Sequence, residues 1–208
     1  IIEYELYQPE QIAKRFFANP SRQPIDDRVL FVQGEEELEI INNKELVYKN
    51  NSPDLIYETM DEKTALNLAE EFLKEKGLYD SDSDQLYLGK TDMSYDLLYT
   101  KSVDGVLVEN SKMTFGIDRR GIFEFTRLWV ESVELELEKE AVLEDPLEAL
   151  LKLMTEPDLG KVTIIDLRPC YYLGPGKNES IDYDNAKRGE GNPAWRILLS
   201  DGRKYFYE

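Results

Sequence analysis

The sequence predicts an α+β protein made of tandem units, each a helix followed by an antiparallel meander whose sheet packs on that one helix. A helical apolar periodicity follows Asp61, and an Asp-Gly pair at 104–105 joins two runs of alternating apolar residues. The same order, ending in an Asp-Gly pair at 201–202, recurs near the C terminus. The alternative is that two unrelated hairpins share a common turn type.

This repetition divides the chain into three predicted segments. Residues 1–60 hold a helix and short strands that complete or extend the first unit. Residues 61–140 form the central unit of helix and sheet, and residues 141–208 form the C-terminal unit with a long loop at 174–192.

The first segment predicts a helix over Pro9–Phe17, because proline suits a first helical turn and apolar residues then recur at helical spacing. Three short extended runs follow, separated by residues with turn chemistry. They are Val29–Val32, Leu38–Ile41 and Leu46–Tyr48.

The central segment opens with a helix that Asp61 caps and Gly77 ends, since aspartate accepts hydrogen bonds from free helical N–H groups and glycine tolerates a left-handed backbone. Extended runs surround the Asp104-Gly105 turn and a second turn at 118–121. Apolar residues alternate strictly with other residues along the last run, which favours one long strand, although residues 131–141 also suit a helix. The predicted runs are 95–99, 106–108, 113–117 and 123–137.

The C-terminal segment carries a strong helix start, in which Asp145 caps and Pro146 occupies the first helical position. Large apolar residues at helical spacing predict its core-facing side, namely Leu147, Leu150, Leu151 and Met154. The extended runs after it are Val162–Leu173, Trp195–Leu199 and Lys204–Tyr207. Residues 174–192 are polar and glycine-rich and predict a long loop.

Charge and cysteine content limit the possible partners. The chain of 208 residues has 43 acidic and 25 basic side chains, a formal net charge of −18. Nucleic acids and anionic membrane surfaces are poor partners, because both are bound by displacing counterions with Lys and Arg. The single cysteine, Cys170, permits no intrachain disulfide, and its apolar neighbours predict a buried small hydrophobe.

The sequence gives little support to catalysis. It contains no histidine, which removes the commonest general base and metal ligand. Asp80, Asp82 and Asp84 match the start of a calcium loop, but Gln85 and Thr91 stand where that loop needs Gly and Glu. We therefore expect a polar linker there and a protein that is not an enzyme, with no cofactor, metal site or catalytic residue.

Aromatic side chains beside the long loop are the candidate partner-binding site. Tyr171, Tyr172 and Trp195 lie at the ends of the strands that flank residues 174–192. Exposed aromatic clusters often anchor protein interfaces. We expect these three residues to form an exposed contact patch.

The chain resembles a known family in two stretches. Residues 102–118, which read SVDGVLVENSKMTFGID, and the closing run from Trp195 to Tyr205 resemble the YycH/YycI regulatory proteins of Gram-positive bacteria, YycI more closely. The phrase around Phe115-Gly-Ile-Asp118 also looks like the wider group of small modules to which PepSY domains belong.

This resemblance implies a non-catalytic extracytoplasmic domain on the cell membrane that regulates a sensor histidine kinase of a two-component system controlling cell-wall metabolism. The implied partners are the kinase and a sister YycH-type protein, with tethering by one N-terminal transmembrane helix. The chain begins at Ile1 and has no apolar run near the ~18 residues of a span. The anchor is therefore expected outside this sequence.

Two other functions stay open. One is a PepSY-like module that binds and inhibits a secreted peptidase or cell-wall hydrolase. The other is a carboxylate-dependent wall glycosidase, which needs two carboxylates about 5–10 Å apart in an acidic cleft. With 43 acidic residues, the sequence singles out no such pair.

Overall fold

The computed structural model describes residues 1–25, 28–91, 93–134, 143–173 and 187–208. Strands hold 50% and helices 16% of the described residues. The helices are α1 (Pro9–Phe16), α2 (Glu62–Glu75) and α3 (Pro146–Leu153). The strands are β1 (Ile2–Tyr4), β2 (Ser21–Ile25), β3 (Arg28–Gln33), β4 (Glu36–Ile41), β5 (Glu45–Asn50), β6 (Ser83–Lys90), β7 (Ser94–Val103), β8 (Val106–Asp118), β9 (Gly121–Leu128), β10 (Val130–Val133), β11 (Ile164–Tyr172), β12 (Arg188–Gly189), β13 (Asn192–Leu199) and β14 (Lys204–Tyr207).

Eleven strands join in one mixed sheet. Its main path runs β14-β13-β11-β8-β9-β5-β4-β3-β2, while β7 pairs with β8 and carries β6 on its other edge. These pairings are antiparallel except that β11 runs parallel to β8. A second sheet has the order β10-β1-β12.

The thirteen-residue strand β8 connects the large sheet. Along one edge it pairs with β7. On the other edge, residues 112–118 pair with β9, whereas Leu107 and Val108 pair with Cys170 and Tyr171 of β11. A strand longer than the ~3–10 residues typical of globular proteins thus has room for two neighbours on one edge.

The predicted α+β class with tandem helix-plus-meander units is therefore wrong. The protein is mostly β, and the strands of all three predicted segments share the large mixed sheet. The reason is the length of β8 together with the β5–β9 pairing, which joins residues 45–49 to residues 124–128. Local periodicity encodes neither the pairing of β8 with β11 nor the pairing of β5 with β9.

Helices α1 and α2 pack on one common core. The ring of Phe72 in α2 lies 5.8 Å from Phe16 in α1 and 5.1 Å from Phe125 in β9, measured between centroids. Residues from 7 to 129 belong to this cluster, so segments 1–60 and 61–140 share a core. Helix α3 packs separately, with Ala149 and Leu153 against β13.

The local predictions for caps and turns are confirmed. Asp61 accepts a hydrogen bond from the Thr64 N–H at 2.8 Å, and Gly77 has φ +63° after α2. Asp104 and Gly105, at φ +52° and +80°, connect β7 to β8. The predicted strands of the first segment correspond to β3, β4 and β5.

Several strand boundaries differ from the predictions. Strands β1, β2, β6 and β12 were not predicted. Strands β2 and β6 are largely polar, β1 has only three residues, and β12 lies within the predicted loop over 174–192. The expected long strand over 123–137 breaks at Trp129, where the chain leaves the large sheet for the small one. Residues 135–142 and 174–186, which include parts of that strand and of the predicted loop, lie outside the described residues.

The predicted inward face of α3 is wrong for three of its four residues, since only Leu150 packs against the core. Leu147, Leu151 and Met154 are 60%, 55% and 74% exposed, while Ala149 and Leu153 are buried. Wide aromatic side chains of β13 and β14 fill the space beneath the helix, so a small alanine approaches the sheet best.

None of the helices in the described part of the chain is both long and apolar enough to span a membrane.

Candidate binding surfaces

The three aromatic residues predicted to bind a partner are all half-buried and lie in three different clusters. Tyr171 packs against the apolar cluster around β1. Tyr172 stacks on the ring of Phe206, with centroids 4.8 Å apart. Trp195 packs under α3, and its indole N–H donates to the carbonyl of Glu144 at 2.8 Å. The structure does not bring them into one patch, and their role at an interface stays a prediction.

A row of exposed apolar side chains runs along α3. Leu147, Leu151 and Met154 are separated by four and three residues, which places them on one line of the helix. We call these three residues the α3 stripe. Single exposed apolar residues are common on protein surfaces, whereas a contiguous apolar group is typical of interaction sites.

The helix that carries the α3 stripe is fixed at both ends. Asp145 accepts a hydrogen bond from the Leu147 N–H at 2.8 Å, and Lys152 forms an ion pair with Glu144. After the helix, the Tyr207 hydroxyl donates to Glu156 at 3.1 Å. Burial and this hydrogen bond raise the pKa of Tyr207 to about 12, so the hydroxyl keeps its proton at neutral pH.

A second surface is a polar cleft of about 460 Å³ where the two sheets meet. Its walls come from the segment after β1, the loop after α2, and strands β7, β9 and β10. We call it the charged cleft. The lining residues with functional groups of interest are Glu5, Asp80, Lys101, Arg127, Trp129 and Glu131.

Asp80 forms the centre of one wall. Its carboxylate accepts hydrogen bonds from the Lys101 amino group at 2.9 Å, the Trp129 indole at 2.8 Å and the Asp82 backbone N–H at 2.9 Å. Burial works against its ionisation, but these three donors outweigh burial and lower the pKa of Asp80. The start of the calcium-like pattern thus pairs with a lysine and an indole.

Arg127 also lines the cleft, and its side chain is 3% exposed. Its Nη1 donates to the Glu5 carboxylate and to the Tyr7 hydroxyl. Its Nε has no hydrogen-bond acceptor among the described residues. The guanidinium carbon lies 5.1 Å from the centroid of the Trp129 ring, and the Lys101 nitrogen lies 5.9 Å from it.

The chemistry of the charged cleft suits recognition. Asp80 is a weak proton acceptor because its pKa is lowered, and burial raises the pKa of Tyr7 well above its ordinary value. Both groups therefore keep one protonation state near neutral pH. Fixed charges and hydrogen-bond donors bind ligands without proton transfer.

Lys101 and Arg127 were not predicted as site residues. No orientation was predicted for either side chain, although each occupies an alternating position that lies on the buried side of its strand. Arg127 lies between Phe125 and Trp129, which are both buried. A charged residue at a core-facing position was the signal available in the sequence.

The metal-ligating side chains and the cysteine thiol of the described residues give no second candidate site. No group of three or more acidic, cysteine or histidine side chains there is arranged to hold a metal ion. Cys170 is fully buried, which confirms its prediction as a small hydrophobe. Burial, together with the nearby charge of Glu109, raises the pKa of its thiol to about 12.

Comparison with known proteins gives little. Neither the protein-family models nor the curated proteins yield a match to the chain. Among solved structures, the chain is similar to the Bacillus megaterium YpeB C-terminal domain, with a TM-score of 0.48 and 11% identity over 98% of this chain and 92% of that one. This likeness gives no support to the YycI part of the resemblance, and at this TM-score and identity it carries no argument about fold or function.

Proposed function

We propose that the chain is a non-catalytic protein-binding module that works on the extracytoplasmic side of the cell membrane. Its partner is a secreted peptidase or cell-wall hydrolase, which it holds inactive. The observation that carries the proposal is the α3 stripe, a set of large apolar side chains presented to solvent on a helix that is fixed at both ends.

The size of the stripe supports docking. Leu147, Leu151 and Met154 keep 55% to 74% of their surface exposed. Covering what remains of each contributes about 1–2 kcal/mol, from the ~1.5–3 kcal/mol for burying a whole side chain. Apolar helical positions of this spacing fit a hydrophobic groove on a partner, and a methionine adapts to its shape.

The charge of the chain supports a partner with a basic rim. A net charge of −18 attracts basic surfaces and speeds their encounter, while it disfavours acidic partners. Association with a basic partner weakens as salt screens the attraction.

The resemblance to YycH/YycI suggests a different partner for the α3 stripe, namely a membrane sensor histidine kinase together with its sister regulator. The module would then shift the kinase by binding one of its states more tightly than the other. This version rests on the resemblance of residues 102–118 and the closing strand pair.

A crosslinking pull-down of the full-length protein from its own cells, with mass spectrometry, tests the proposal. The test variant is L151S/M154S, and the matched control is L55S/I56S, which removes two exposed apolar residues elsewhere. We expect a peptidase or wall hydrolase to be recovered with the wild type and the control, and to be lost with the stripe variant.

The recovered proteins distinguish a hydrolase partner from a kinase partner and test the docking surface. The recovered hydrolase should lose activity when the purified chain is added, and an unchanged rate would refute inhibition. Recovery of a sensor kinase and its sister protein would replace the hydrolase as partner. Equal recovery by the stripe variant and the control would show that α3 is not the docking surface.

A further inference from the structure

We infer that the charged cleft binds a zwitterionic ligand, a free amino acid or a short peptide, through its carboxylate and its ammonium group. The inference rests on the cleft alone and does not depend on the α3 stripe. Its three supports are the surplus of buried donors, the sign of the lining charges and the volume of the cavity.

The cationic side chains of the cleft have more donors than partners. A lysine and an arginine carry eight N–H donors together. Among the described residues, their acceptors are one oxygen each from Asp80, Glu5 and Tyr7, plus a long contact of 3.5 Å to the Glu131 carbonyl. A purely structural ion pair this buried is expected to satisfy its donors.

The unused donors of Arg127 suit a carboxylate. Both of its observed hydrogen bonds leave from Nη1, so the Nε and Nη2 edge has no acceptor within the described residues. That edge presents two parallel N–H groups, the arrangement that matches the two oxygens of a carboxylate. Nε is buried in this structure, so the inference requires a local rearrangement that opens this edge to the ligand.

The charges of the lining specify the second group of the ligand. Two cations, Lys101 and Arg127, face three carboxylates, those of Glu5, Asp80 and Glu131. Asp80 already accepts three hydrogen bonds, whereas Glu131 is exposed. A phosphate or other dianion would be repelled by this excess of negative charge. A zwitterion carries no net charge, so it avoids that repulsion and offers its ammonium group to Glu131.

The volume agrees with a small ligand. Pockets that hold small molecules measure roughly 300–1,000 Å³, and the charged cleft measures about 460 Å³. Gly77 and the residues that follow it as far as Ser81 form one side of the cleft.

Ligand-observed NMR on the purified chain tests the inference. The probes are the twenty common amino acids, each separately, and the dipeptide alanyl-alanine, which distinguishes a free amino acid from a peptide. The best binder is then compared with its C-terminal amide, which lacks the carboxylate, and its N-acetyl form, which lacks the ammonium group. We expect both modified forms to bind about 10-fold to 100-fold more weakly.

Substitutions assign the two ends of the ligand. K101M and R127K are expected to weaken binding about tenfold or more. K90M is the matched control, since Lys90 lies over the Tyr95 ring outside the cleft. E131Q is expected to weaken binding of the zwitterion but not of its N-acetyl form, and because Glu131 is exposed this variant keeps the fold.

Three results would overturn the inference. They are no binding by any probe, equal binding of the amide, and equal loss in K90M and K101M. The L151S/M154S variant is expected to bind the ligand normally, so failure at the cleft and failure at the α3 stripe are distinguishable.

Discussion

Arg127 is the residue that shows most clearly how a charge can occupy a core position. It follows the alternation of β9, in which Phe125 is buried, and its guanidinium is then held by Glu5, Tyr7 and Trp129. Burying an arginine is tolerated when partners replace water. Two of these partners are more than a hundred residues away in sequence, so the local pattern cannot name them.

Asp80 allows a pH test at the same scale. We expect D80N to lower the free energy of unfolding by about 1–3 kcal/mol at neutral pH, because Lys101 and Trp129 lose a charged partner in a half-buried position. The folded-state pKa of Asp80 lies below its unfolded value. Its contribution is therefore complete above the unfolded pKa, near ~3.9, and is lost as the pH falls through the folded pKa.

Urea unfolding of wild type and D80N from neutral pH down to below ~4 measures this, since the unfolded carboxyl titrates there. The difference between the two proteins should stay constant at neutral pH and shrink in acid. D84N serves as the control, because Asp84 is an exposed aspartate of β6 that does not line the cleft. A difference that does not change with pH would contradict the assignment.

Among the elements, α3 illustrates the limits of helical periodicity. Its cap and length follow from Asp145 and Pro146, but its inward side is chosen by what lies beneath it. Trp195, Tyr205 and Tyr207 fill that space, so Ala149 and Leu153 face the sheet, while Leu147, Leu151 and Met154 face solvent. Close packing against given neighbours decided the orientation.

The β7–β8 turn gives a prediction for an element. Gly105 has φ +80°, where an alanine is strained by its Cβ, so we expect G105A to destabilise the fold by about 1–2 kcal/mol. D104G relieves the same strain at φ +52° and should not destabilise. Denaturant unfolding of both variants measures this, and equal stability of G105A and wild type would contradict the left-handed turn.

Across the whole molecule, a buried ion network ties the C-terminal strands to β8. Arg196 of β13 is 1% exposed and pairs with Glu109 of β8 at 3.4 Å and with Asp166 of β11. Lys204 of β14 also pairs with Glu109. Four strands of the large sheet therefore meet at one set of charges.

We expect R196M to cost about 1–3 kcal/mol of unfolding free energy, because Glu109, itself 8% exposed, loses its buried partner and keeps only Lys204. The control is R22M, which breaks an exposed pair with Glu10 and should cost about 0–1 kcal/mol. Thermal or urea unfolding compares the two. Similar losses in both variants would show that the network adds no stability of its own.

The caps, the turns and most helix and strand positions follow from local sequence. Asp61, Gly77 and the Asp104-Gly105 pair act within a few residues of themselves, so their effects are readable locally. The start of α3 at Asp145 and Pro146 belongs to the same class.

Long-range packing sets which strands share a sheet, which side of α3 faces solvent, and which partners surround Lys101 and Arg127. Strand pairing and charge compensation are formed between residues far apart in the chain, as in Glu5 with Arg127 and β11 with β8. These contacts depend on the packing of the whole chain. For that reason the charged cleft and the α3 stripe emerged from the structure, while the Tyr171, Tyr172 and Trp195 site stays a prediction from sequence.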